Sequence, residues 1–381
     1  MTEIKGIKGK VYVEGEGIIE TTVTIENGKI VAIGKTEGEF LELEENQILV
    51  PGFVDKHIHG ANNSDSMYPS EEHILNIAKT IAKEGVTSFL PTTMTQSVEN
   101  INKALKNLGE YIAKNHVEGA EAVGIHLEGP FINKIFKGAQ PEEYIIDCDV
   151  ELFKEFEKNS NYNIKQVTLA YEQNGEELTK YLASKKIVAS LGHTNATAKE
   201  VLEAAKNGAT SLTHSYNAMK PLHHREAGTI GGALLADDMY LEVITDLIHV
   251  SSEAIQILYK IKGRDKLVVI TDAMEAKHLP DGKYQLGGQD VFVKNNEARL
   301  ESGALAGSVL KMDDAIRNIK NVLGVSLEEA IDFATINPAR NVYIDDRKGS
   351  IKVGKDADFA VIDEDINVYK TIRGGKVIYS A

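Results

Sequence analysis

Eight short apolar segments, each followed by a stretch with helical periodicity, constrain this chain more than any other feature. The apolar segments lie at 48–55, 88–92, 122–127, 166–170, 188–191, 211–213, 241–245 and 267–271. Between them, stretches such as 71–84, 101–114, 198–207 and 251–261 carry apolar residues at i, i+3 and i+4, the spacing of a helix with one buried face. A strand that returns through a helix runs parallel to its predecessor, and eight such units suggest a closed (β/α)8 barrel. Residues 273–305 break the rhythm after the eighth strand and predict an irregular insertion with a hairpin around Asp281-Gly282.

The two ends of the chain read differently. Val11-Tyr12-Val13, Thr22-Val23-Thr24-Ile25 and Ile30-Val31-Ala32-Ile33 are β-branched runs. Asn27-Gly28, between the last two, supplies the positive φ values of a type I′ hairpin turn. Ala360-Val361-Ile362 and Lys376-Val377-Ile378-Tyr379 repeat the pattern near the other end, with Arg373-Gly374-Gly375-Lys376 as a turn. Neither end alone can bury a sheet face, so the two are expected to pair. The expected architecture is α/β: a (β/α)8 TIM-type barrel over 51–345, and a small β-sandwich domain formed by both termini, 1–50 with 346–381.

Metal-capable side chains stand where the predicted barrel strands end. His57 and His59 follow the first strand, Glu128 the third, His193 the fifth, His214 the sixth and Asp272 the eighth. All strand C-termini of such a barrel open on one face, so residues far apart in sequence converge there. His57-Ile58-His59 puts two imidazoles on one side of an extended segment, where both can reach one ion. Alone, such a pair is weak evidence; with the other ligands it reads as a metal site.

Glu128 lies in His126-Leu127-Glu128-Gly129-Pro130, where Gly-Pro fixes the backbone direction, and it can ligate one ion or bridge two. His126 shares its strand parity and is expected to orient that carboxylate from behind. His193 and His214 stand on consecutive strands. Two histidines and a carboxylate leave an open position on a zinc-like ion, which is the catalytic arrangement. Asp272 is read as the general base that takes a proton from the attacking water and returns it to the leaving amine, in preference to a plain helix cap.

Charge narrows the partners. The chain of 381 residues has 57 acidic against 42 basic side chains, a net charge of −15, which repels nucleic acid and anionic membranes. An anionic substrate would therefore need basic groups gathered locally. The single cysteine, Cys148, sits between Asp147 and Asp149 and has no internal disulfide partner. The N-terminal residues lack a signal-peptide core and no run approaches a membrane span, so a cytoplasmic setting is expected.

Six motifs, in chain order, resemble those of the N-acetylglucosamine-6-phosphate deacetylases of the amidohydrolase superfamily. They are His57-Ile58-His59-Gly60, His126-Leu127-Glu128-Gly129-Pro130-Phe131, Gly192-His193-Thr194, Thr213-His214-Ser215-Tyr216-Asn217-Ala218-Met219, His223-His224-Arg225-Glu226 and Thr271-Asp272-Ala273. The resemblance spans nearly the whole chain. It implies hydrolysis of N-acetyl-D-glucosamine 6-phosphate to D-glucosamine 6-phosphate and acetate, in amino-sugar catabolism and recycling. It also implies that Glu128, His193 and His214 hold a principal divalent ion, that His57 and His59 hold a second one sharing Glu128, and that Asp272 is the acid/base.

By the same resemblance, Ala139, Gln140, Asn217, Ala218, Arg225, Asp246, His249, Leu305, Ala306 and Gly307 would contact the sugar phosphate. Arg225 and His249 are the phosphate cations of that set. Arg225 would reach the neighbouring subunit's site, which implies a homodimer, with His223 and His224 as its neighbours rather than ligands. The ligand set suits Zn²⁺ or Fe²⁺, and Mn²⁺ or Co²⁺ as well.

Three positions depart from the family's pattern. Gln140 stands where some members have a histidine that polarises the carbonyl. Leu247 replaces a glycine in Asp-Gly-x-His, and Ala227 replaces a proline after Arg-Glu. Competing readings are the same reaction on N-acetylgalactosamine 6-phosphate, a ring-opening hydrolase of the dihydroorotase type, and a non-catalytic sugar-phosphate sensor. The dihydroorotase type needs a lysine at the end of strand four, where this chain has Thr168-Leu169-Ala170-Tyr171-Glu172. A sensor has no need of Asp272.

Overall fold

Eight parallel strands run in sequence order around a barrel: β1 (Phe53–Ile58), β2 (Val86–Pro91), β3 (Ile125–Glu128), β4 (Ile164–Leu169), β5 (Val188–Leu191), β6 (Ala209–Leu212), β7 (Tyr240–Ile244) and β8 (Leu267–Ile270). Strands β3 to β8 pair successively, and β1 pairs with β2. A bridge between Thr92 and His126 joins β2 to β3. The ring closes where the Asp272 N–H donates to the His57 carbonyl at 2.9 Å and the His59 N–H to the Ala273 carbonyl at 2.9 Å. The structure, a computed structural model, describes residues 4–34, 38 and 40–381. Residues 1–3, 35–37 and 39 of the expected N-terminal β segment lie outside the described residues.

A helix follows each strand. In order they are Glu71–Ile81, Val98–Lys114, Val150–Asn159, Gly175–Ser184, Ala198–Lys206, Gly228–Leu235, Ser252–Lys262 and Met312–Leu323. Their local signals are ordinary ones. Thr197 and Glu200 exchange hydrogen bonds in a capping box before Ala198–Lys206. Asp149 accepts from the Glu151 and Leu152 amides at the start of Val150–Asn159. Val98–Lys114 buries Ile101, Ala104, Leu105 and Leu108, the i, i+3, i+4, i+7 stripe, against the barrel. Truncating a leucine such as Leu105 to alanine would cost about 2–5 kcal/mol.

The structure redraws three predicted segments. The first apolar run divides: Ile48–Pro51 belongs to the terminal sheet, and the barrel strand begins at Phe53. Gly52 is the joint, where an added Cβ would meet the Thr87 side chain at 2.2 Å. The third run also divides, Glu121–Ala122 pairing with β2 and Ile125–Glu128 with β4. The insertion after β8 is regular. Gly282–Leu286, Gln289–Lys294 and Glu297–Leu300 form an antiparallel meander. Asp281-Gly282 opens its first strand, and the turns fall at Gly287-Gly288 and Asn295-Asn296, all four with positive φ.

The termini pair as expected. Ile48–Pro51 is flanked by Phe359–Ile362 on one side and Gly6–Val13 on the other. Gly17–Glu26 and Lys29–Ile33 extend one arm of the sheet, Val368–Arg373 and Lys376–Ser380 the other. Asn27 and Gly28, at φ 51° and 73°, make the hairpin turn, as do Gly374 and Gly375 at 54° and 74°. The sheet curls, with the Gly354 N–H on the Ile30 carbonyl and the Ala357 N–H on the Gly28 carbonyl. Residues of both arms, among them Ile7, Val11, Val23, Phe359, Val361 and Ile372, share one core. A charge cluster fastens this sheet to the barrel: Glu121 accepts from Arg347 and Lys348, and Asp356 pairs with the same two cations.

Candidate active site

Four imidazoles and two carboxylates meet where the barrel strands end. Glu128 is central. Its Oε1 lies 3.2 Å from His214 Nε2, 3.4 Å from His193 Nε2 and 3.5 Å from His57 Nε2, and its Oε2 lies 3.1 Å from His59 Nε2. His193 Nε2 and His214 Nε2 are 3.1 Å apart. Asp272 Oδ1 lies 3.3 Å from His57 Nε2 and 3.2 Å from His59 Nε2. Asp272 thus stands with the first histidine pair as well as on the cleft.

The strand ends are shaped to do this. His193, His214 and Asp272 follow their strands with φ of 48°, 28° and 48°. Left-handed backbone is unfavourable for such side chains and persists where surrounding structure enforces it, as at functional sites. Gly129 leaves β3 at φ 71°, and a Cβ there would lie 2.1 Å from Thr95 Oγ1. A side chain at 129 would push Glu128 off its line.

The residues fit a divalent cation. With metal–nitrogen bonds of about 2.0–2.1 Å, tetrahedral ligands sit about 3.3 Å apart, and the separations above cluster on that value. The ligand atoms of His57, His59 and Glu128, and those of Glu128, His193 and His214, form two groups with every member within 4.8 Å of the others. His57 Nε2 and Glu128 Oε1 are buried without a well-aligned hydrogen bond. The His193 ring is held from outside by the Phe136 carbonyl at Nδ1, 3.0 Å away, which leaves Nε2 for the centre.

The electrostatics agree. Burial opposes a charged His59, yet Asp272 and Glu128 around it push its pKa up to about 10. The same carboxylates lift His57 well above the usual histidine value against its burial. Asp272 and Glu128, though buried, are held well below the usual carboxylate range by the imidazoles beside them. Carboxylates that draw positive charge onto nitrogens converging on one point make a cation site. A third acidic group, Glu121, Asp356 and Asp358, is different, because Lys348 already sits among its oxygens.

A cleft of about 230 Å³ opens above these side chains. Of the substrate residues expected from sequence, Ala139, Gln140, Asn217, Ala218, His249, Leu305 and Gly307 line it, with His59, Glu128, His193, His214 and Asp272. His57 lies beneath, fully buried. Ala306 is turned into the small core of the meander. Asp246 does not line the cleft; its carboxylate accepts from the Ile248 and His249 amides and holds His249 Nδ1 at 2.7 Å. Arg225 does not line it either; it is exposed, with its guanidinium on His224 Nε2 at 2.9 Å.

Several details revise the sequence reading. His126 does not hydrogen-bond the Glu128 carboxylate: its ring bonds Thr168 Oγ1 at 2.7 Å and stands edge-on to His57. The same-face parity held, but the side chain lies one layer deeper. Gln140 takes the supporting part instead. It accepts from the Thr95 N–H at 2.8 Å and donates to Glu128 Oε2 at 3.0 Å, so one of its two amide hydrogens is directed at the carboxylate. Leu247 has φ 62°, a conformation that glycine adopts without strain. Ala227 has φ −65°, the value a proline ring imposes. The Cys148 thiol is pushed up by burial and then by Glu172 and Asp147, in keeping with an inert side chain.

Sequence reasoning missed Gly138, Met94, Leu286 and Ala304, which also line the cleft. They offer backbone or apolar surface and carry no chemical signature. It also missed Glu242, buried beneath the ligands, whose signal was a lone acid inside the apolar run Leu241-Glu242-Val243-Ile244.

The chain matches the amidohydrolase family over residues 48–378. It is 41% identical over 377 residues to an N-acetylglucosamine-6-phosphate deacetylase of Bacillus subtilis, covering 97% of this chain and 95% of that one. It is 35% identical over 345 residues to an N-acetylgalactosamine-6-phosphate deacetylase of Escherichia coli O157:H7, covering 90% and 91%. The crystal structure of an N-acetylglucosamine-6-phosphate deacetylase from Thermotoga maritima superposes with a TM-score of 0.90 at 36% identity, covering 98% of this chain and 99% of that one. Among the described residues, no helix is long and apolar enough to cross a membrane.

Proposed function

The chain belongs to the amidohydrolase family, and from that premise we infer that its cleft hydrolyses the acetamide of N-acetyl-D-glucosamine 6-phosphate, releasing acetate and D-glucosamine 6-phosphate. The observation that carries the reading is the Glu128 carboxylate set among four imidazole Nε2 atoms, with Asp272 beside them on the floor of a cleft. A divalent cation held by these residues would lower the pKa of water from 15.7 to about 7 and polarise the amide carbonyl. Glu128, His193 and His214 would be its principal ligands, and His57 and His59, sharing Glu128, would hold a second ion, with Zn²⁺ or Fe²⁺ favoured.

The remaining steps fall to side chains. Asp272, on the cleft with its Oδ1 3.3 Å from His57 Nε2 and 3.2 Å from His59 Nε2, is placed to accept the proton of the attacking water. As the C–N bond breaks, it delivers that proton to the departing amine, and the acyl carbon leaves as acetate. Gln140 keeps Glu128 oriented while substrate enters. His249, fixed by Asp246, and Asn217 meet the sugar phosphate. Arg225, on an exposed loop, reaches the cleft of a second copy in a homodimer and adds the cation that a phosphate needs on an acidic protein. The setting is cytoplasmic, in keeping with the lone, unpaired Cys148.

Acetate release from N-acetylglucosamine 6-phosphate tests this directly. Asp272→Asn should slow it by about 10² to 10⁴. No acetate from the parent protein with any of the four metals would overturn the assignment. The galactosamine epimer is the second reading, favoured by the 35% identical relative that bears that name; a kcat/KM higher for it than for the glucosamine substrate would establish it.

A further inference from the structure

Beneath the ligands lies a buried polar layer that the hydrolytic reading does not use. Pairing of β1 with β2 slips between Asp55 and Ile58. A slip of this kind re-aims side chains, and here the neighbours Lys56 and His57 both reach the barrel interior, fully buried. They meet at Glu242 on β7, also fully buried. Glu242 Oε1 takes the Lys56 ammonium at 2.9 Å and the Gln166 amide N–H at 2.7 Å. Glu242 Oε2 faces the opposite way, to His57 Nδ1 at 3.1 Å and the His214 backbone N–H at 3.2 Å.

One carboxylate therefore braces a ligand from each candidate ion group, by the ring of His57 and by the main chain of His214. Lys56 is held in turn by Gln166 Oε1 at 2.7 Å, Ser211 Oγ at 3.2 Å and Asn341 Oδ1. Packing does not explain such a layer, because well-packed apolar residues of similar volume fill a barrel core at least as stably as a buried ion pair. A carboxylate on Nδ1 keeps the proton there and presents the Nε2 lone pair to an ion.

We propose that Glu242 is the positioning residue that commits His57 to the second ion, and that Lys56 locks the carboxylate in the orientation this requires. The inference rests on the reading of His57, His59 and Glu128 as metal ligands. It makes a directional claim. In Glu242→Gln the amide carbonyl turns toward the Lys56 ammonium and its NH2 toward His57 Nδ1. The imidazole must then carry its proton on Nε2, the nitrogen that faces the ion. Removing the ammonium as well, in Lys56→Met/Glu242→Gln, frees the carbonyl to turn back to His57.

The test is Co²⁺ titration of chelator-stripped protein, followed by visible absorption and elemental analysis, with the metal-free melting temperature recorded for each variant. The parent should take up two ions. Glu242→Gln should bind the second about 10- to 100-fold more weakly and the first by a smaller factor, because His214 loses a backbone acceptor while its ring is untouched. The double variant should recover a large part of the loss, which a purely structural role for Glu242 would not produce. Equal binding of both ions by Glu242→Gln overturns the proposal. So does joint loss of both ions in the single and double variants with a lowered metal-free melting temperature. A parent that binds one ion, unaffected by His57→Ala, also overturns it. A parent that binds no Co²⁺ overturns the metal reading itself.

Discussion

His193 and His214 aim their Nε2 nitrogens at each other across 3.1 Å, each within 3.4 Å of Glu128 Oε1. The Phe136 carbonyl at His193 Nδ1 leaves that ring's Nε2 as a lone pair, and a cation shared with His214 Nε2 and Glu128 makes use of the approach. His214→Asn should remove one ion per chain by elemental analysis and lower acetate release by at least about 100-fold, the upper end of what loss of an outer partner alone costs. Full metal content in this variant would mean that the pair is not a ligand set.

Gln140 links Thr95 to Glu128 through both ends of its amide. Gln140→Ala leaves the buried Thr95 N–H and Glu128 Oε2 each short of a partner. We expect a loss of about 1–3 kcal/mol in stability, read by urea unfolding, from the unsatisfied groups. A fall in kcat/KM should accompany it, because the carboxylate loses its lateral support. Stability lost with kcat/KM intact would restrict Gln140 to packing.

The barrel was legible because its two periodicities differ, and the candidate site because metal-capable side chains recur at strand ends. What escaped was set by tertiary contact. The run from Ile48 to Asp55 is continuous in hydrophobicity, and only its pairing, Ile48–Pro51 with Phe359–Ile362 and Phe53 onward with Val86–Pro91, shows that it feeds two different sheets. His126 shows the limit of parity: facing inward does not say how deep, and its partner proved to be Thr168 rather than Glu128. Glu242 was hidden for a related reason. A single acid in an apolar strand reads as noise until the slip in β1 brings Lys56 and His57 to it. Arg225 lies on an exposed loop outside the cleft, and the motif that named it carries no information on where that loop points.

Leu247 carries a left-handed backbone at φ 62° with 46% of its surface exposed. A non-glycine residue in that conformation costs about 1–2 kcal/mol, while a half-exposed leucine returns little by burial. Leu247→Gly should therefore hold or raise stability, by up to about 1 kcal/mol once the added freedom of the unfolded chain is subtracted. Thermal unfolding measures it. A clear drop in melting temperature would mean that the Leu247 side chain contributes packing that outweighs its backbone strain.

The cluster that fastens the terminal sheet to the barrel gives a pH signature well away from the ligands. Burial favours the neutral form of Glu121, but Lys348 and Arg347 overcome it and hold its pKa down to about 2, from an ordinary 4.5. Asp356 is held down to about 2 by the same cations, again against its burial. A folded pKa below the unfolded one means that protons bind the unfolded chain more tightly. The stabilisation is therefore complete above about pH 4.5 and disappears as the pH falls toward 2. For Glu121 the shift is equivalent to about 3 kcal/mol at most. Glu121→Gln, which cannot ionise, should be less stable than the parent by up to that amount at pH 6. The gap should narrow below pH 4.5 and close near pH 2, where the parent carries the proton as well. Urea unfolding of metal-free protein at pH 6, 4 and 3 reads the trend without interference from metal release. A gap that stays constant across that range would show that Glu121 acts through shape and hydrogen bonding, and that its charge contributes nothing to holding the two parts together.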